Sequence, residues 1–314
     1  MNKKFSFPLP FQIQLAVDGS EYSTAAVRLL SDLPFPPGTS ITLLGVVTPG
    51  RPPDEPMLHE AMEAAKKILK KDGIEVKTVL LFGHAAKQLI EYGREHRPDL
   101  MVLGAKGLYA TLKILLGGIA HQVVENADWP VLVMRTPYHG LRRVLLATDG
   151  SQNCRLAAQY LAEFPIPEET EIQVLHVQPL YPAVEAHEYA ARPLGYAVSA
   201  MIPMIPSPEE LRSIARQAQL NQQKGRVILA ETKNILQGAG RKLTTFLMRG
   251  DPASEILTHS QAQKFDLIVA GSRGLSALAG WWWDSVSRKL VHYAHCSVLF
   301  VRTNSEDNNA GVDP

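Results

Sequence analysis

The sequence repeats itself once, at a spacing that only a whole domain can fill. Residues 15–23 (LAVDGSEYS) return 131 positions later as residues 146–154 (LATDGSQNC), and residues 82–108 return 167 positions later as residues 249–275. Solenoid repeats recur at periods of about 20 to 50 residues, so that class of fold is excluded. The chain therefore contains two copies of one folding unit, with 36 extra residues inside the second copy.

Composition narrows the class of protein further. The 314 residues suit two domains of ~150 residues each, and a hydrophobic share of 46% is enough for two cores. No apolar run reaches the ~18 residues of a membrane span, and a net charge of +1 gives no attraction to nucleic acid or to an anionic membrane. Prolines interrupt the apolar residues near the N-terminus, and Cys154 and Cys296 lack disulfide-motif spacing. We therefore expect a cytoplasmic protein with reduced thiols.

Short apolar runs alternate with helix-length segments in each half. The runs occupy residues 13–17, 40–47, 74–81, 100–103 and 131–134, and then 144–147, 172–177, 243–247, 267–270 and 298–301. Strands separated by helices indicate βαβ units, whose right-handed crossovers place helices on both faces of a parallel sheet. The sequence predicts an α/β fold of two Rossmann-like domains, residues 10–137 and 140–303, each with a five-stranded parallel sheet.

The extra residues lie between the second and third strands of the second half. Residues 179–207 are rich in proline, tyrosine and methionine, and Pro208 then opens a helical pattern that extends to Gln237, with Gly225 as a point of disturbance. This insert covers a sheet edge or a pocket mouth, or it is a mobile loop; its apolar composition also suits a lid over a lipophilic ligand. Residues 304–314 are polar and acidic, so we expect a disordered tail.

An acidic residue and a glycine recur at strand ends in both halves. Asp18 and Asp149 follow the first strand of each half, and Gly104 and Gly271 end the fourth. In a doubly wound sheet the first and fourth strands are neighbours, and ligands bind beyond their carboxyl ends. An isolated Asp-Gly-Ser is usually a turn or a helix cap, but repetition at both positions favours a ligand site.

More glycines follow the fourth strand of the first half. Gly104 and Gly107 form a Gly-x-x-Gly turn, and Gly117 and Gly118 come after nine intervening residues, at the start of a helical segment. Glycine lets the backbone approach a ligand, and free N–H groups at a helix start attract phosphate. The spacing therefore predicts two backbone contacts for an anion. Lys106, inside the turn, either touches phosphate or is solvated.

These motifs, with DLIVAGSRGL and the closing CSVLFVR, make both halves resemble universal stress protein domains. The resemblance covers about residues 12–135 and 141–302. It implies adenine nucleotide alpha hydrolase-like domains with strand order 3-2-1-4-5 that pair through their fifth strands. It also implies ATP binding in one branch of the family, through Gly-x2-Gly-x9-Gly-Ser/Thr and an aspartate after the first strand, and no nucleotide in another branch.

Carried over to the first half, the resemblance implies a nucleotide site. Asp18 would lie near the adenosine, and Val46 would offer backbone groups to adenine. Gly118 stands where the family has serine or threonine, which keeps the backbone N–H and removes a hydroxyl worth on the order of 1 kcal/mol. The site residues so implied are Asp18, Val46, Gly104, Gly107, Gly117 and Gly118.

In the second half the same motif is altered. Asp284 replaces a family glycine, and a carboxylate there would repel phosphate while suiting a helix N-cap. The three tryptophans at 281–283 either pack against the insert or the other domain, or stack on adenine. We predict that this site is degenerate. Its matching residues are Asp149, Val177, Gly271, Gly274 and Ser285.

Backbone groups and glycines bind nucleotide but do not hydrolyse it unaided. His292, His295 and Cys296 imitate metal spacing without a fourth ligand, so we interpret them as structural. We expect a stress-response sensor or regulatory module that binds ATP, ADP or AMP, with or without Mg²⁺, mainly in the first domain. The alternatives are an interaction module without nucleotide and a slow ATPase. We also expect the domains to form an internal pseudo-dimer, with or without a homodimer of the chain.

Overall fold

A computed structural model describes residues 11–50, 53–108, 116–179, 208–237, 241–272 and 285–302. The first half comprises β1 (Gln12–Ala16), α1 (Glu21–Asp32), β2 (Ser40–Val47), α2 (Glu55–Leu69), β3 (Glu75–Phe82), α3 (Ala85–His96), β4 (Leu100–Gly104), α4 (Gly118–Asn126) and β5 (Val131–Met134). The second half comprises β6 (Arg143–Ala147), α5 (Gln152–Glu163), β7 (Glu171–Gln178), α6 (Pro208–Leu236), β8 (Leu243–Arg249), α7 (Pro252–Ala262), β9 (Leu267–Gly271), α8 (Ser285–Tyr293) and β10 (Ser297–Val301).

The ten strands form one continuous sheet in the order β3-β2-β1-β4-β5-β10-β9-β6-β7-β8. Pairing is parallel within each half, and β5 and β10 pair antiparallel, with Val133 opposite Val298. The predicted α/β fold, the strand order within each half and the pairing through the fifth strands are confirmed. Because the two halves meet antiparallel, the carboxyl ends of their strands open at opposite edges of the sheet.

Two apolar layers cover the two faces of this sheet, and each layer draws residues from both halves. One layer contains Leu15 and Leu146 with residues of α1, α2, α5 and α6. The other contains Val133 and Phe300 with residues of α3, α4, α7 and α8. Every side chain of β5 and β10 is buried, as expected for central strands of a sheet covered on both faces.

Serine caps fix where the first helix of each half begins. The Ser20 hydroxyl accepts a hydrogen bond from the Ser23 backbone N–H at 3.1 Å, and the Ser151 hydroxyl accepts one from the Cys154 N–H at 3.4 Å. Such caps satisfy N–H groups that a helix leaves unpaired in its first turn. Both helices therefore begin just past the aspartate that ends the preceding strand.

Helix α6 is longer than its counterpart α2 and passes through Gly225 without interruption, so the predicted disturbance there is wrong. A Cβ at Gly225 would lie 2.8 Å from a methyl carbon of Leu247 and 3.1 Å from the His176 ring, so the glycine serves close packing. A Cβ on Gly19 would meet Ala61 of α2, and a Cβ on the matching Gly150 would meet Ile228 of α6, so these two residues occupy equivalent positions. Counted from them, α6 begins fourteen residues earlier than α2, which is about 21 Å of helix.

Residues 180–207 and the tail at 304–314 lie outside the described residues. Our predictions of an insert loop and of a disordered tail therefore stay predictions. Among the helices that the structure describes, none combines the length and apolarity needed to cross a membrane.

Candidate functional site

A cavity of about 380 Å³ opens at the carboxyl ends of β1, β2 and β4. All six residues that the sequence assigned to the first-half site line it, although they are spread over a hundred positions of the chain. They come together because strand ends and the two following loops converge at this edge of the sheet. These residues are Asp18, Val46, Gly104, Gly107, Gly117 and Gly118.

The cavity lining combines apolar and polar side chains. The apolar side chains come from β1, β2, β4 and α3, and the polar ones are Asp18, Thr48, His84 and Lys106. An apolar slot with a few polar groups is the usual form of a small-molecule site. The apolar residues are Ala16, Leu44, Val46, Leu89 and Leu103.

Asp18 ties two segments of this site together. Its Oδ1 accepts a hydrogen bond from the Ser20 N–H at 3.0 Å, and its Oδ2 accepts one from the Leu108 N–H at 3.1 Å. The first bond shapes the start of α1, and the second fixes the end of the Gly-x-x-Gly turn. Each oxygen retains a further lone pair, so the carboxylate can still accept from a ligand hydroxyl.

The four glycines do different things. A Cβ on Gly104 would lie 2.7 Å from Tyr22 Cβ, so this glycine lets α1 pack against the end of β4. A Cβ on Gly107 would lie 3.1 Å from Asp18 Oδ2, and one on Gly117 would lie 3.3 Å from the Ala105 carbonyl oxygen. Among the residues that the structure describes, none lies within 4 Å of a Cβ on Gly118. Of these four glycines, only Gly118 therefore leaves open space toward the described residues.

Helix α4 points its first turn at the cavity. Gly117 is its N-cap and makes no side-chain capping bond, while its own N–H donates to the Ala105 carbonyl at 2.7 Å and closes the loop. Gly118, Ile119 and Ala120 line the cavity. The unpaired N–H groups and the dipole of a helix start favour an anion at this place.

Two cavity residues carry further polar groups. The Lys106 ammonium lies 5.8 Å from the centroid of the Tyr22 ring, beside the glycine turn. His84 is the N-cap residue of α3 and makes no capping bond through its side chain. The matching residue in the second half, Asp251, caps α7 by accepting from the Ser254 N–H at 3.0 Å. The sequence predictions did not include His84. The signal for it is that FGHAA in the first half has a histidine where RGDPA in the second half has the capping aspartate.

In the second half the structure describes only part of the predicted site. Asp149 follows β6, and its Oδ1 accepts from the Ser151 N–H at 2.8 Å. Burial acts to raise the pKa of Asp149, but hydrogen bonds from Ser151 and Cys154 outweigh it and leave that pKa below its ordinary value. Val177 is buried in β7, and a Cβ on Gly271 would collide with the Asn153 backbone at 2.4 Å.

The remaining second-half residues leave that prediction open. Gly274 and Asp284, with Arg273 and the three tryptophans, lie outside the described residues, and Ser285 is known only as the first residue of α8. The proposed blocking of this site by Asp284 therefore stays a prediction. In the part of the chain that the structure describes, no three His, Cys, Asp or Glu residues are placed to hold a metal ion.

The chain matches known proteins across both halves. A model of the universal stress protein family matches residues 12–135 and again residues 140–302. A universal stress protein of Methanocaldococcus jannaschii is 36% identical over 79 residues, 25% of this chain and 46% of that protein, so the match spans less than half of this relative's length. One from Mycolicibacterium smegmatis is 24% identical over 316 residues, 93% of this chain and 97% of that protein.

Solved structures agree on the fold. A universal stress protein from Archaeoglobus fulgidus superposes with a TM-score of 0.62 over 94% of this chain and 99% of its own, at 18% sequence identity. One from Pseudomonas aeruginosa gives a TM-score of 0.60 over 94% of each chain, at 14% identity. With the family model matched twice, this chain belongs to the universal stress protein family and contains two of its domains in tandem.

Proposed function

We propose that the cavity of the first half binds an adenine nucleotide, with ATP as the preferred form, and that the protein acts as a sensor or regulatory module of the stress response. The observation that supports this proposal is the convergence of Asp18, Val46 and the four glycines on one cavity that ends at an uncapped helix start. We further propose that the protein acts in the cytoplasm and that its domains extend over residues 10–137 and 140–303.

The cavity offers a suitable surface to each part of such a ligand. The flat base fits the apolar slot beside Val46, where backbone groups at the end of β2 are close. Asp18 can accept from a ribose hydroxyl. The phosphates then reach the Gly104–Gly107 turn and the first turn of α4, with the Lys106 ammonium nearby. Mg²⁺, where present, would arrive with the phosphates, since the hard oxygens of a nucleotide bind it well.

The residues around the cavity bind and orient rather than react. Backbone N–H groups and a helix dipole stabilise phosphate charge in the bound state, and this energy can shift the conformation or the partners of the protein. We therefore propose regulation by ligand binding, with at most slow hydrolysis of ATP.

Equilibrium dialysis of the full chain against ATP and Mg²⁺ tests the proposal. We expect about one nucleotide per chain. We also expect Gly117→Val to abolish binding, because its Cβ would lie 3.3 Å from the Ala105 carbonyl oxygen and its two methyl groups would fill space in the cavity. Asp18→Asn should weaken binding, and the matched variant Asp149→Asn in the second half should not.

Three other results would contradict parts of this proposal. No nucleotide bound at millimolar ATP would favour an interaction module. Two nucleotides per chain would overturn the degenerate second site. Fast, multiple-turnover phosphate release that Gly117→Val abolishes would favour an ATPase.

A further inference from the structure

A buried arginine of the second half donates hydrogen bonds to the carboxyl end of α4, the helix that begins at the first-half cavity. Arg302 directly follows β10 and is 5% exposed. Its Nη1 donates to the Ala127 carbonyl at 2.6 Å and to the Glu125 carbonyl at 3.4 Å, at the carboxyl end of α4. A cation at this end of a helix pairs with otherwise unsatisfied carbonyls and with the negative pole of the helix dipole.

The same side chain also reaches the glycine loop of its own half. Arg302 Nε donates to the Ser272 hydroxyl at 2.7 Å, and Ser272 directly follows Gly271. Burial lowers the pKa of Arg302 to about 10, so the guanidinium stays charged at neutral pH. Hydrogen bonds from a buried charge are strong and directional, because the desolvated group depends on them. Arg302 thereby connects the second-half loop to the first-half helix.

The pseudo-twofold axis gives this contact a counterpart in Arg135. Arg135, after β5, donates through Nη2 to the Val291 carbonyl at 2.7 Å and to the His292 carbonyl at 3.1 Å, at the carboxyl end of α8. The residue that matches Ser272 is Ala105, which has no hydroxyl. Of these two arginines, Arg302 therefore holds the helix that starts at the first-half cavity, and Arg135 holds the corresponding helix of the second half.

We propose that Arg302 is a positioning residue of the first-half nucleotide site, which holds α4 from its carboxyl end so that the helix start stays directed at the phosphates. This inference rests on the function proposed above. Helix α4 has nine residues, so Arg302 acts from about 14 Å away and contacts no part of the ligand. Its effect is confined to the phosphates, because the base and ribose lie against β1, β2 and Asp18 instead.

The test compares ATP with adenosine on the full chain by isothermal titration calorimetry. We expect Arg302→Met to weaken ATP binding about three- to tenfold, because a loosened α4 presents its N–H groups and dipole less well, and to leave adenosine binding unchanged. Arg302→Lys keeps the charge but cannot span the serine and both carbonyls, so ATP binding should weaken at least about twofold. Arg241→Met is the control, because Arg241 donates to the Ile166 carbonyl at 2.7 Å within the second half; we expect ATP binding as in the wild type.

Each other outcome is decisive. Equal weakening of ATP and adenosine, or the same loss in Arg241→Met, would show a merely structural role for Arg302. If Arg302→Met does not fold, an unchanged ATP affinity in Arg302→Lys overturns the proposal. If the wild type binds adenosine and ATP, and the Arg302 variants bind both with the same affinities, only this inference is overturned. A wild-type chain that binds neither ligand overturns the proposed function together with it.

Discussion

Single residues decide how the cavity of the first half is shaped, and glycines show this most clearly. The sequence predicted that all four glycines approach a ligand. In the described residues, a Cβ on Gly104 would meet Tyr22 of α1, whereas a Cβ on Gly118 would meet no neighbour. The contact of these glycines with a ligand stays a prediction. The pattern of spacing could identify the loop, but it could not reveal which side each missing Cβ would face, because that depends on Tyr22 and Ala105 in three dimensions.

The open space at Gly118 makes a gain of affinity testable. We expect Gly118→Ser to bind ATP about fivefold more tightly than the wild type, since a serine hydroxyl adds one hydrogen bond of about 1 kcal/mol to a phosphate without a steric cost. Gly118→Ala supplies the same Cβ without the hydroxyl and is the control in calorimetric titrations. Equal affinities of the serine and alanine variants would contradict the prediction.

At the scale of helices and strands, apolar periodicity predicted nearly every element, whereas contacts between elements were harder to foresee. The apolar pattern identified α6. It could not show that Gly225 packs against His176 and Leu247, because these residues belong to β7 and β8, so the glycine looked like a weak point in the helix. The Arg302 contact was invisible for the same reason, since its carbonyl partners lie about 175 positions away. Sequence patterns record the buried face of an element and not what that face touches.

Close packing of α3 against Trp129 yields a prediction about stability. Gly93 lies inside α3, and a Cβ there would fall 2.2 Å from the Trp129 ring, which is itself buried. Alanine favours the helix by about 1 kcal/mol, but overpacking against a rigid ring costs about 1–3 kcal/mol. We expect Gly93→Ala to lower the free energy of unfolding by as much as about 2 kcal/mol in urea titrations. Gly118→Ala, whose Cβ meets no neighbour among the described residues, should leave the free energy of unfolding unchanged or raise it. A Gly93→Ala variant more stable than the wild type would refute this account of the packing.

For the whole molecule, the decisive feature is the antiparallel pairing of β5 with β10 inside one continuous sheet. The resemblance of each half to a known domain predicted this pairing, and the repeat itself predicted two domains. Nothing in the sequence placed the polar groups that meet across the junction. Among these, the His121 and His292 rings approach to 5.3 Å between centroids.

Two histidines near the junction make stability depend on pH. Burial lowers the pKa of His292 and of His295, and nearby Arg135 lowers both further. A lowered pKa means that the unfolded chain binds more protons below the ordinary histidine value of about 6.5. The contribution of these two histidines to stability is therefore complete above that pH, and it is lost progressively as the pH falls from that value through their lowered pKa in the folded protein. We expect a lower urea midpoint at pH 5.5 than at pH 7.5.

Substitution separates these histidines from other acid effects. His292→Gln should reduce the difference between the two midpoints, because the glutamine side chain does not take up a proton in this pH range. A midpoint that stays constant or rises on acidification would contradict the assignment.

The seam between the halves joins two segments of a single polypeptide. When such a seam unites separate molecules, dilution dissolves it, and apparent stability varies with protein concentration. Here β5 and β10 belong to one polypeptide, so dilution of the protein cannot separate them. On the function proposed above, the fraction of protein in the ligand-bound form would then depend on the ligand concentration and not on the concentration of the protein itself.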